Sequence, residues 1–321
     1  MPPSNHPLAV RAGLLAAVLL LAACKPVDGA KHAKAPKSAP ELSAEGVAPT
    51  RGPAPEPCRI VGSDIVLPDE VTETSGVIAS RHYPGVFWTF LDSGNQPVLY
   101  GFDAGGAERG RIVVTGAKNK DWESAAMGPC AGGGDCVYLG DTGDNEGRRK
   151  HVSIWRFPEP DPTADSSAPA EEIRGVYPGK GRDSEAMFVL PDGQTYLVTK
   201  GENSDVELWR FPGPLVAGST VQLQLVRRIA PKVKQHGDRV TDASATPDGR
   251  WLAVRTYGAL YLYRTQDFVR GGVDPVAVDL IPVGEAQGEG VSLGEDGSVL
   301  LTSEGTAKLP GIATRLACTL P

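Results

Sequence analysis

Five short segments of this sequence end in a glycine that follows a polar residue, and their spacing is nearly regular. Successive glycines are 49, 58, 57 and 47 residues apart. A period near fifty residues is typical of folds built by radial repetition of one small unit. The five segments are Leu91 to Gly94, Gly140 to Gly143, Val198 to Gly201, Arg255 to Gly258 and Thr302 to Gly305.

A second mark precedes each glycine: an acidic or hydroxyl residue that opens a strand of small residues. In the last three copies it lies 16 residues before the glycine, with an Asp-Gly pair between the two. This pattern predicts one β-hairpin copied three times. In the first two copies the interval is longer, 19 and 20 residues, and a different turn is used. The marked residues are Ser75, Glu123, Glu185, Asp242 and Glu289.

Two further apolar runs follow the glycine, except in the last copy, which has one. The first of them nearly repeats its own sequence in three copies, at Ile154 to Pro158, Leu208 to Pro212 and Leu262 to Arg264. Four strands per copy make a propeller blade. The sequence therefore predicts an all-β fold, a five-bladed β-propeller of four-stranded antiparallel blades. Copy five lacks a fourth strand, and we expect the amino-terminal run from Arg59 to Leu67 to pair with it and close the ring.

Composition agrees with a single β domain. The repeats fill nearly all of the 321-residue chain after residue 57, so one propeller domain is expected over 58–321. The 39 glycines and 28 prolines, against three methionines, favour a chain rich in turns over a helical one. A net charge of -7 argues against nucleic acid as a partner.

The amino terminus has the pattern of an export signal. Arg11 precedes an uncharged apolar run from Ala12 to Ala23, which is shorter than the ~20 residues that a bilayer span needs. The run ends in Leu21-Ala22-Ala23-Cys24 and resembles the bacterial lipobox. That resemblance implies a signal peptide over 1–23 and a lipid on Cys24. An ordinary secretory signal followed by a stray cysteine is the alternative.

Residues 24–57 repeat proline, alanine and lysine without hydrophobic periodicity. Such a composition predicts a flexible tether between the lipid and the propeller. Lys25 is not the aspartate that commonly retains lipoproteins at the inner membrane. We therefore expect an exported protein, anchored through its lipid to the outer membrane if the organism has one, on its periplasmic or surface face.

The cysteines fit an oxidising compartment. Five cysteines become four once Cys24 carries lipid. Cys130 and Cys136 flank a glycine-rich turn, while Cys58 begins the amino-terminal run and Cys318 ends the last one. We therefore expect Cys58–Cys318 and Cys130–Cys136 disulfides. Intermolecular or metal-bound cysteines are the alternative.

Both repeated marks should meet at one end of the central channel. In a propeller, the innermost strand of each blade lines the channel, and its start lies on the same face as the turn between the second and third strands. Carboxylates crowded there need a compensating charge, and Ca²⁺, which takes six to eight oxygen ligands, would supply it. A ring neutralised internally by Lys200, Arg255 and the lysines and arginines of nearby loops is the alternative. The predicted metal ligands are Glu123, Glu185, Asp242, Glu289 and, two residues before three of the marks, Glu73, Asp121 and Asp183.

Basic side chains above an acidic floor would suit a small anionic ligand. The acidic and amide residues of the turns also have a purely structural explanation, because Asp and Asn cap turns and tolerate left-handed backbone. The predicted ligand contacts are Asp92, Asp141, Asp144, Asn145, Lys200, Arg255, His236 and Glu304.

Three segments together resemble a family of uncharacterised bacterial envelope propeller lipoproteins and, more distantly, the SdiA-regulated and phytase-like propellers. They are Glu73 to Gly76, Asp121 to Glu123, and Gly140 to Asn145 with the nearby Arg148 and Pro158-Glu159-Pro160. The resemblance implies a propeller in an extracytoplasmic setting. Phytase-like relatives would further imply calcium-dependent phosphoester hydrolysis. This chain departs from those enzymes, because it has five copies where they have six blades.

The expected function is therefore that of a cell-envelope lipoprotein that binds a ligand or a partner at the acidic face of its channel. Two alternatives stay open. One is a metal-dependent hydrolase of phosphoesters or lactones, and the other is a scaffold whose blade edges bind envelope proteins. The sequence does not decide between them, nor whether the protein is an enzyme.

Overall fold

The computed structural model describes residues 57–306 and 309–321, and nearly all their regular structure is β-strand. The strands form five sheets whose innermost strands contact one another in a closed circle. This confirms the predicted five-bladed propeller. No helix in the described ranges is long and apolar enough to cross a membrane. The predicted signal peptide, Cys24 and the tether up to residue 56 lie outside the described residues.

Within each blade the chain runs outward from the channel, strand by strand. Blade 1 contains Thr74–Ala79, Val86–Leu91, Val98–Asp103 and Glu108–Val113; blade 2 contains Trp122–Pro129, Asp135–Asp141, Val152–Pro158 and Glu171–Val176. Blade 3 contains Ser184–Val189, Thr195–Thr199, Val206–Arg210 and Gln224–Ala230; blade 4 contains Val240–Ala245, Trp251–Thr256, Ala259–Arg264 and Val276–Asp279. Blade 5 contains Gly288–Leu293, Ser298–Ser303 and Ile312–Cys318. A short helix, Thr265–Arg270, and two 3-10 turns, His236–Asp238 and Ile281–Val283, complete the elements.

The amino-terminal run closes the ring, as predicted. Cys58–Ile60 and Ile65–Val66 both pair antiparallel with Ile312–Cys318 and supply the outer strand of blade 5. Cys58 lies opposite Cys318 in this pairing, and the two form a disulfide. The second predicted disulfide, between Cys130 and Cys136, is also present. The seam between the first and last strands of the propeller is thus closed by both hydrogen bonds and a covalent bond.

Apolar side chains pack between adjacent blades and form the core. Between blades 1 and 2, Trp88, Phe90 and Trp122 are wholly buried, and the rings of Phe90 and Trp122 meet edge to face at 6.0 Å. Burial of one such side chain contributes roughly 1.5–3 kcal/mol. These contacts hold the blades at fixed angles and so fix where their inner strands end.

Segments of one blade also cross over to the previous blade. Thr220–Gln222, from the connection inside blade 3, pairs in parallel with Glu171–Val176 as a fifth strand of blade 2. In the same way, Val113 of blade 1 donates its N–H to the carbonyl of Asp165, which lies in the long connection of blade 2. Both segments cover a sheet edge that would otherwise expose unpaired backbone groups.

Every innermost strand contains a β-bulge near its start, where one extra residue interrupts the pairing with the second strand. The extra residues are Ser75, Glu123 and Glu185 in blades 1 to 3, Thr241 in blade 4, and the Glu289-Gly290 region in blade 5. Bulges redirect side chains and are frequent next to functional sites. Four of the five predicted marks are therefore structurally equivalent.

Asp242 is the exception. The residue of blade 4 that is equivalent to the other marked residues is Thr241, so the prediction for this copy is wrong by one position. In blade 3, Val189 pairs with Thr195 across the hairpin, whereas in blade 4 Ala245 pairs with Leu252. The blade 4 hairpin is therefore one residue longer. A shift of one residue turns a strand side chain to the other face, so Asp242 occupies a different environment from the bulge residues.

Candidate functional site

The bulges place three glutamates at one end of the channel, which we call the mouth. Glu123, Glu185 and Glu289 are 6%, 2% and 5% exposed. Burial raises the pKa of all three, and the charge of Glu185 raises the pKa of both Glu123 and Glu289 further. The Oγ of Ser75, the bulge residue of blade 1, donates to Glu123 Oε2 at 3.3 Å. The mouth is therefore lined by carboxyl groups that are close enough to repel one another.

The densest group of carboxylates lies on the blade 1 and blade 2 side of the mouth. One carboxylate oxygen from each of Asp92, Asp121 and Glu123 lies within 4.8 Å of the other two. In the described ranges no lysine or arginine forms an ion pair with any of them. Burial, followed by the charges of Asp92 and Asp183, raises the pKa of Asp121 to about 6. Arg149 and Lys200 lower the pKa of Asp121 and Glu123, but burial and the neighbouring carboxylates outweigh them, so the charge of this group is only partly compensated.

Asp183 adds an oxygen that has no partner. It is 4% exposed, and its Oδ1 accepts a hydrogen bond from the N–H of Asp144 at 2.8 Å. Its Oδ2 is buried and accepts no hydrogen bond within the described residues. Burial raises the pKa of Asp183, and Asp183 in turn raises the pKa of Asp121. A buried carboxylate oxygen without a donor is costly unless a cation or a water satisfies it.

Gly143 allows the acidic groups to come this close to the backbone. A side chain at this position would collide with Oδ2 of Asp121 and Oε1 of Glu123. The possible metal ligands here are all carboxylate oxygens, from Asp92, Asp121 and Glu123, and the charge of Asp183 acts on Asp121 from nearby. Such a set suits hard cations such as Ca²⁺ or Mg²⁺ rather than Zn²⁺, which favours nitrogen and sulfur ligands. The residues present therefore fit the predicted calcium ion.

Other carboxylates at the mouth are neutralised by bases, as the salt-bridge alternative expected. Lys200 Nζ donates to Glu185 Oε1 at 2.8 Å, and Arg149 Nη1 lies 2.7 Å from Asp141 Oδ1. The sequence pointed to Lys200 but not to Arg149, which no repeated pattern distinguishes from its neighbour Arg148. The mouth thus combines acids that have a basic partner with acids that have none among the described residues.

Asp242 and Arg255 lie deeper and do not reach the mouth. Asp242 is wholly buried, and its carboxylate accepts from Ser124 Oγ at 2.7 Å, Ala243 N at 2.8 Å and Val291 N at 2.9 Å. It therefore joins blades 2, 4 and 5 inside the channel. These three hydrogen bonds engage both carboxylate oxygens, so Asp242 is not part of the candidate site at the mouth.

Arg255 is likewise wholly buried, between blades 4 and 5. Its guanidinium forms an ion pair with Glu285 and donates to the carbonyls of Gly290 at 2.6 Å and Thr302 at 3.0 Å. These contacts explain why an arginine is needed there without any ligand. Arg255 is therefore also not part of the candidate site.

The remaining predicted contacts lie around the rim. His236 is exposed, and its ring stacks on Tyr257 at 4.1 Å, while the Tyr257 hydroxyl donates to Glu289 at 3.3 Å. Burial and the nearby Arg239 and Lys200 lower the pKa of His236. Asp144 accepts from the N–H groups of Arg148 and Arg149 and so shapes its own loop. Asn145 is exposed, and the Glu73 carboxylate accepts from the Asn95 side-chain amide.

An open cavity of about 450 Å³ reaches the acidic group from solvent. Asp121 and Gly143 lie at its wall, and both basic and acidic side chains line the rest: Lys120, Arg148, Arg149, Asp144 and Glu146. Arg148 is exposed and its only ion pair in the described ranges is with Glu146, at 2.6 Å. A cation held by the acidic group would therefore face a cavity that also carries positive side chains.

We expect the protein, kept free of divalent cations, to unfold at a lower temperature at pH 8 than at pH 5. Burial, Asp92 and Glu73 raise the pKa of Glu304 from 4.5 to about 7, and burial raises that of Glu185 to about 7. A carboxyl group whose pKa is raised by folding favours the folded state below its unfolded pKa, and that contribution is lost as the pH rises through the folded pKa. The decrease should therefore fall between about pH 4.5 and about pH 7. Calorimetry in EDTA measures it, and an unfolding temperature that rises across this window would contradict it.

Comparison with known proteins finds likeness of fold only. No family model matches the sequence, and no curated protein matches it. Solved β-propeller structures do match: the PQQ-bound aldose sugar dehydrogenase of Streptomyces coelicolor is 12% identical, with a TM-score of 0.49 over 84% of this chain and 100% of the other. A calcium-binding regucalcin of Agrobacterium tumefaciens is 14% identical, with a TM-score of 0.47 over 80% and 96%. At these values the likeness says nothing about what this chain binds.

Proposed function

We propose that this chain is an exported, lipid-anchored propeller that binds Ca²⁺ at its channel mouth and, through that ion, a small anionic ligand. The observation that carries the proposal is the group formed by Asp92, Asp121 and Glu123, with three oxygens within 4.8 Å and no cationic partner among the described residues. The proposed export and anchoring rest on the apolar run that ends in Leu21-Ala22-Ala23-Cys24.

Electrostatics supports a cation at this position. Burial and mutual repulsion raise the pKa of Asp121, Glu123 and Asp183, so at neutral pH the ionised forms are held at a cost in free energy. A bound divalent ion would reverse this cost.

The open cavity supports an anionic ligand. A calcium ion bound by few protein oxygens keeps coordination positions for water or for ligand oxygens. Lys120 and Arg148 line the cavity next to Asp121 and can donate to the same oxygens. A carboxylate or phosphate group would thus meet the ion on one side and basic side chains on the other.

Calcium is expected to raise the unfolding temperature of the propeller. A ligand present at about 100 times its Kd stabilises the folded state by about 2.7 kcal/mol, which for a domain of this size corresponds to a shift of roughly 5–10 °C. Scanning calorimetry at pH 7.5 in calcium and in EDTA measures the shift. We expect Asp121→Asn to lose most of it, because one ligand charge is removed.

Asp121→Asn should at the same time raise the unfolding temperature in EDTA, since it removes a carboxylate that Asp92 and Asp183 repel. This opposite sign separates a metal ligand from a residue that merely supports the fold. Asp238→Asn is the matched control, because Asp238 is an exposed rim carboxylate outside the acidic group. The absence of any calcium shift in the wild-type protein would refute the proposed metal site.

A metal-dependent hydrolase is the alternative for the same site. One observation favours it: Lys200, whose Nζ lies 2.8 Å from Glu185 Oε1, is at the mouth beside the acidic group, where it could contact a substrate. Assays with phosphoester and lactone substrates in calcium distinguish the two functions. Turnover that EDTA abolishes would favour the enzyme, whereas a calcium shift without turnover favours the binding protein.

A further inference from the structure

A second cavity, of about 720 Å³, lies at the opposite end of the strands, between blades 2 and 3. Pro129 and Cys130, at the end of the inner strand of blade 2, form one wall, and the Cys130–Cys136 disulfide fixes this segment. Phe211 and Leu215, from the connection that follows the third strand of blade 3, form the other. The volume is in the range of sites for small organic molecules.

A buried arginine lies in this cavity. Arg156 is 4% exposed, and its Nε and Nη2 donate to Glu171 Oε2 at 2.8 and 2.6 Å. Nη2 also reaches the carbonyl of Leu215 at 3.3 Å, so Arg156 connects the two walls. Its Nη1 donates to no acceptor in the described ranges. Nη1 is not among the fully buried polar atoms without a partner, so it is open to water in the cavity and can donate to a ligand.

A second arginine lines the same cavity from blade 3. Arg210 follows a tryptophan in the third strand, as Arg156 does in blade 2, so the two occupy the same place in the repeat. Its Nε donates to Gln224 Oε1 at 2.9 Å, and it forms no ion pair with any described carboxylate. The lining carboxylate Asp192 accepts from the N–H and side-chain amide of Gln194. Donors of both arginines therefore remain for a ligand.

We propose that this cavity binds a small organic acid: its carboxylate lies between Arg156 and Arg210, and its apolar body packs against Phe211 and Leu215. Planar guanidinium groups match the two oxygens of a carboxylate, and such charge-assisted hydrogen bonds are the strong ones. An apolar wall with a few convergent polar groups is the usual composition of a small-molecule site. This site is independent of the channel mouth and needs no metal ion.

Two probes that differ only in charge test the proposal. N-acetylphenylalanine carries a carboxylate and an apolar ring, and N-acetylphenylalaninamide replaces the carboxylate by a neutral amide. Titration of each into the full chain, followed by NMR or calorimetry in EDTA, should show that the acid binds at least about tenfold more tightly. Equal affinities, or no binding of the acid, would overturn the proposal.

Arg210→Gln should reduce the affinity for the acid about tenfold or more and leave the affinity for the amide unchanged. Arg210 is exposed, so the variant is expected to fold. Arg264→Gln is the matched control, because Arg264 has the equivalent place in blade 4, lies over the Trp251 ring and is outside the cavity. If the control loses the acid equally, or Arg210→Gln loses nothing, the carboxylate does not bind between these arginines.

Discussion

Asp242→Ala is expected to lower the free energy of unfolding by roughly 3–5 kcal/mol, because it leaves three buried donors without an acceptor. These are the N–H groups of Ala243 and Val291 and the hydroxyl of Ser124, at 2.7 to 2.9 Å from the carboxylate. Ser124 Oγ also accepts the N–H of Met187 at 2.9 Å, so the network reaches four of the five blades. Urea unfolding followed by circular dichroism measures the loss.

Asp242→Asn separates shape from charge at this position. The amide keeps the side-chain volume and one acceptor oxygen, but its NH₂ group replaces the other oxygen and faces a donor. We therefore expect a loss of stability that is smaller than for alanine. Asp238→Ala, at an exposed carboxylate in the turn before the same strand, should stay within about 0.5 kcal/mol of the wild-type protein. A loss of less than 1 kcal/mol for Asp242→Ala would show that the channel network is not a support of the fold.

Arg255→Met is expected to cost roughly 3–5 kcal/mol, because Glu285 would remain buried without its partner. Glu285 lies in a position where burial raises its pKa and the charge of Arg255 lowers it. Without the arginine the pKa should rise further. The loss in stability should therefore be larger at pH 8 than at pH 5, where Glu285 can take up a proton.

A double variant tests the pairing itself. Adding Glu285→Leu to Arg255→Met removes the unpaired carboxylate, so the double variant should lose less than the sum of the two single variants, and a coupling of roughly 1–3 kcal/mol is expected. Urea unfolding of the four proteins gives the cycle. Simple additivity would show that the ion pair contributes nothing beyond its separate side chains.

The fold was predictable because its main signals are local and repeated. The Asp-Gly turns at Asp192, Asp248 and Asp296 specify hairpins without reference to the rest of the chain. Five copies of one unit specify a ring, and the missing outer strand of the last copy indicates what closes it. The disulfides followed from the same logic, since Cys58 and Cys318 begin and end the paired strands.

The site was predictable only in part, because contacts between blades have no sequence period. One additional residue in the blade 4 hairpin moved Asp242 from the mouth into the channel interior. Arg149 and Glu285 are partners of Asp141 and Arg255, yet no motif connects either pair in the sequence. The cavity at Arg156 is lined by residues of two blades and of the connection after the third strand of blade 3, and repeat spacing does not determine how these meet.

The covalent seam has a mechanical consequence. Any pull on the segment before Cys58 enters the domain at a residue bonded to Cys318, so the load is shared at once by both ends of the folded chain. The short strand Cys58–Ile60 therefore cannot be peeled from its neighbour, as a terminal strand held by hydrogen bonds alone could be. Force applied there acts on the ring as a closed loop. After reduction of the disulfide, a smaller force should detach the strand.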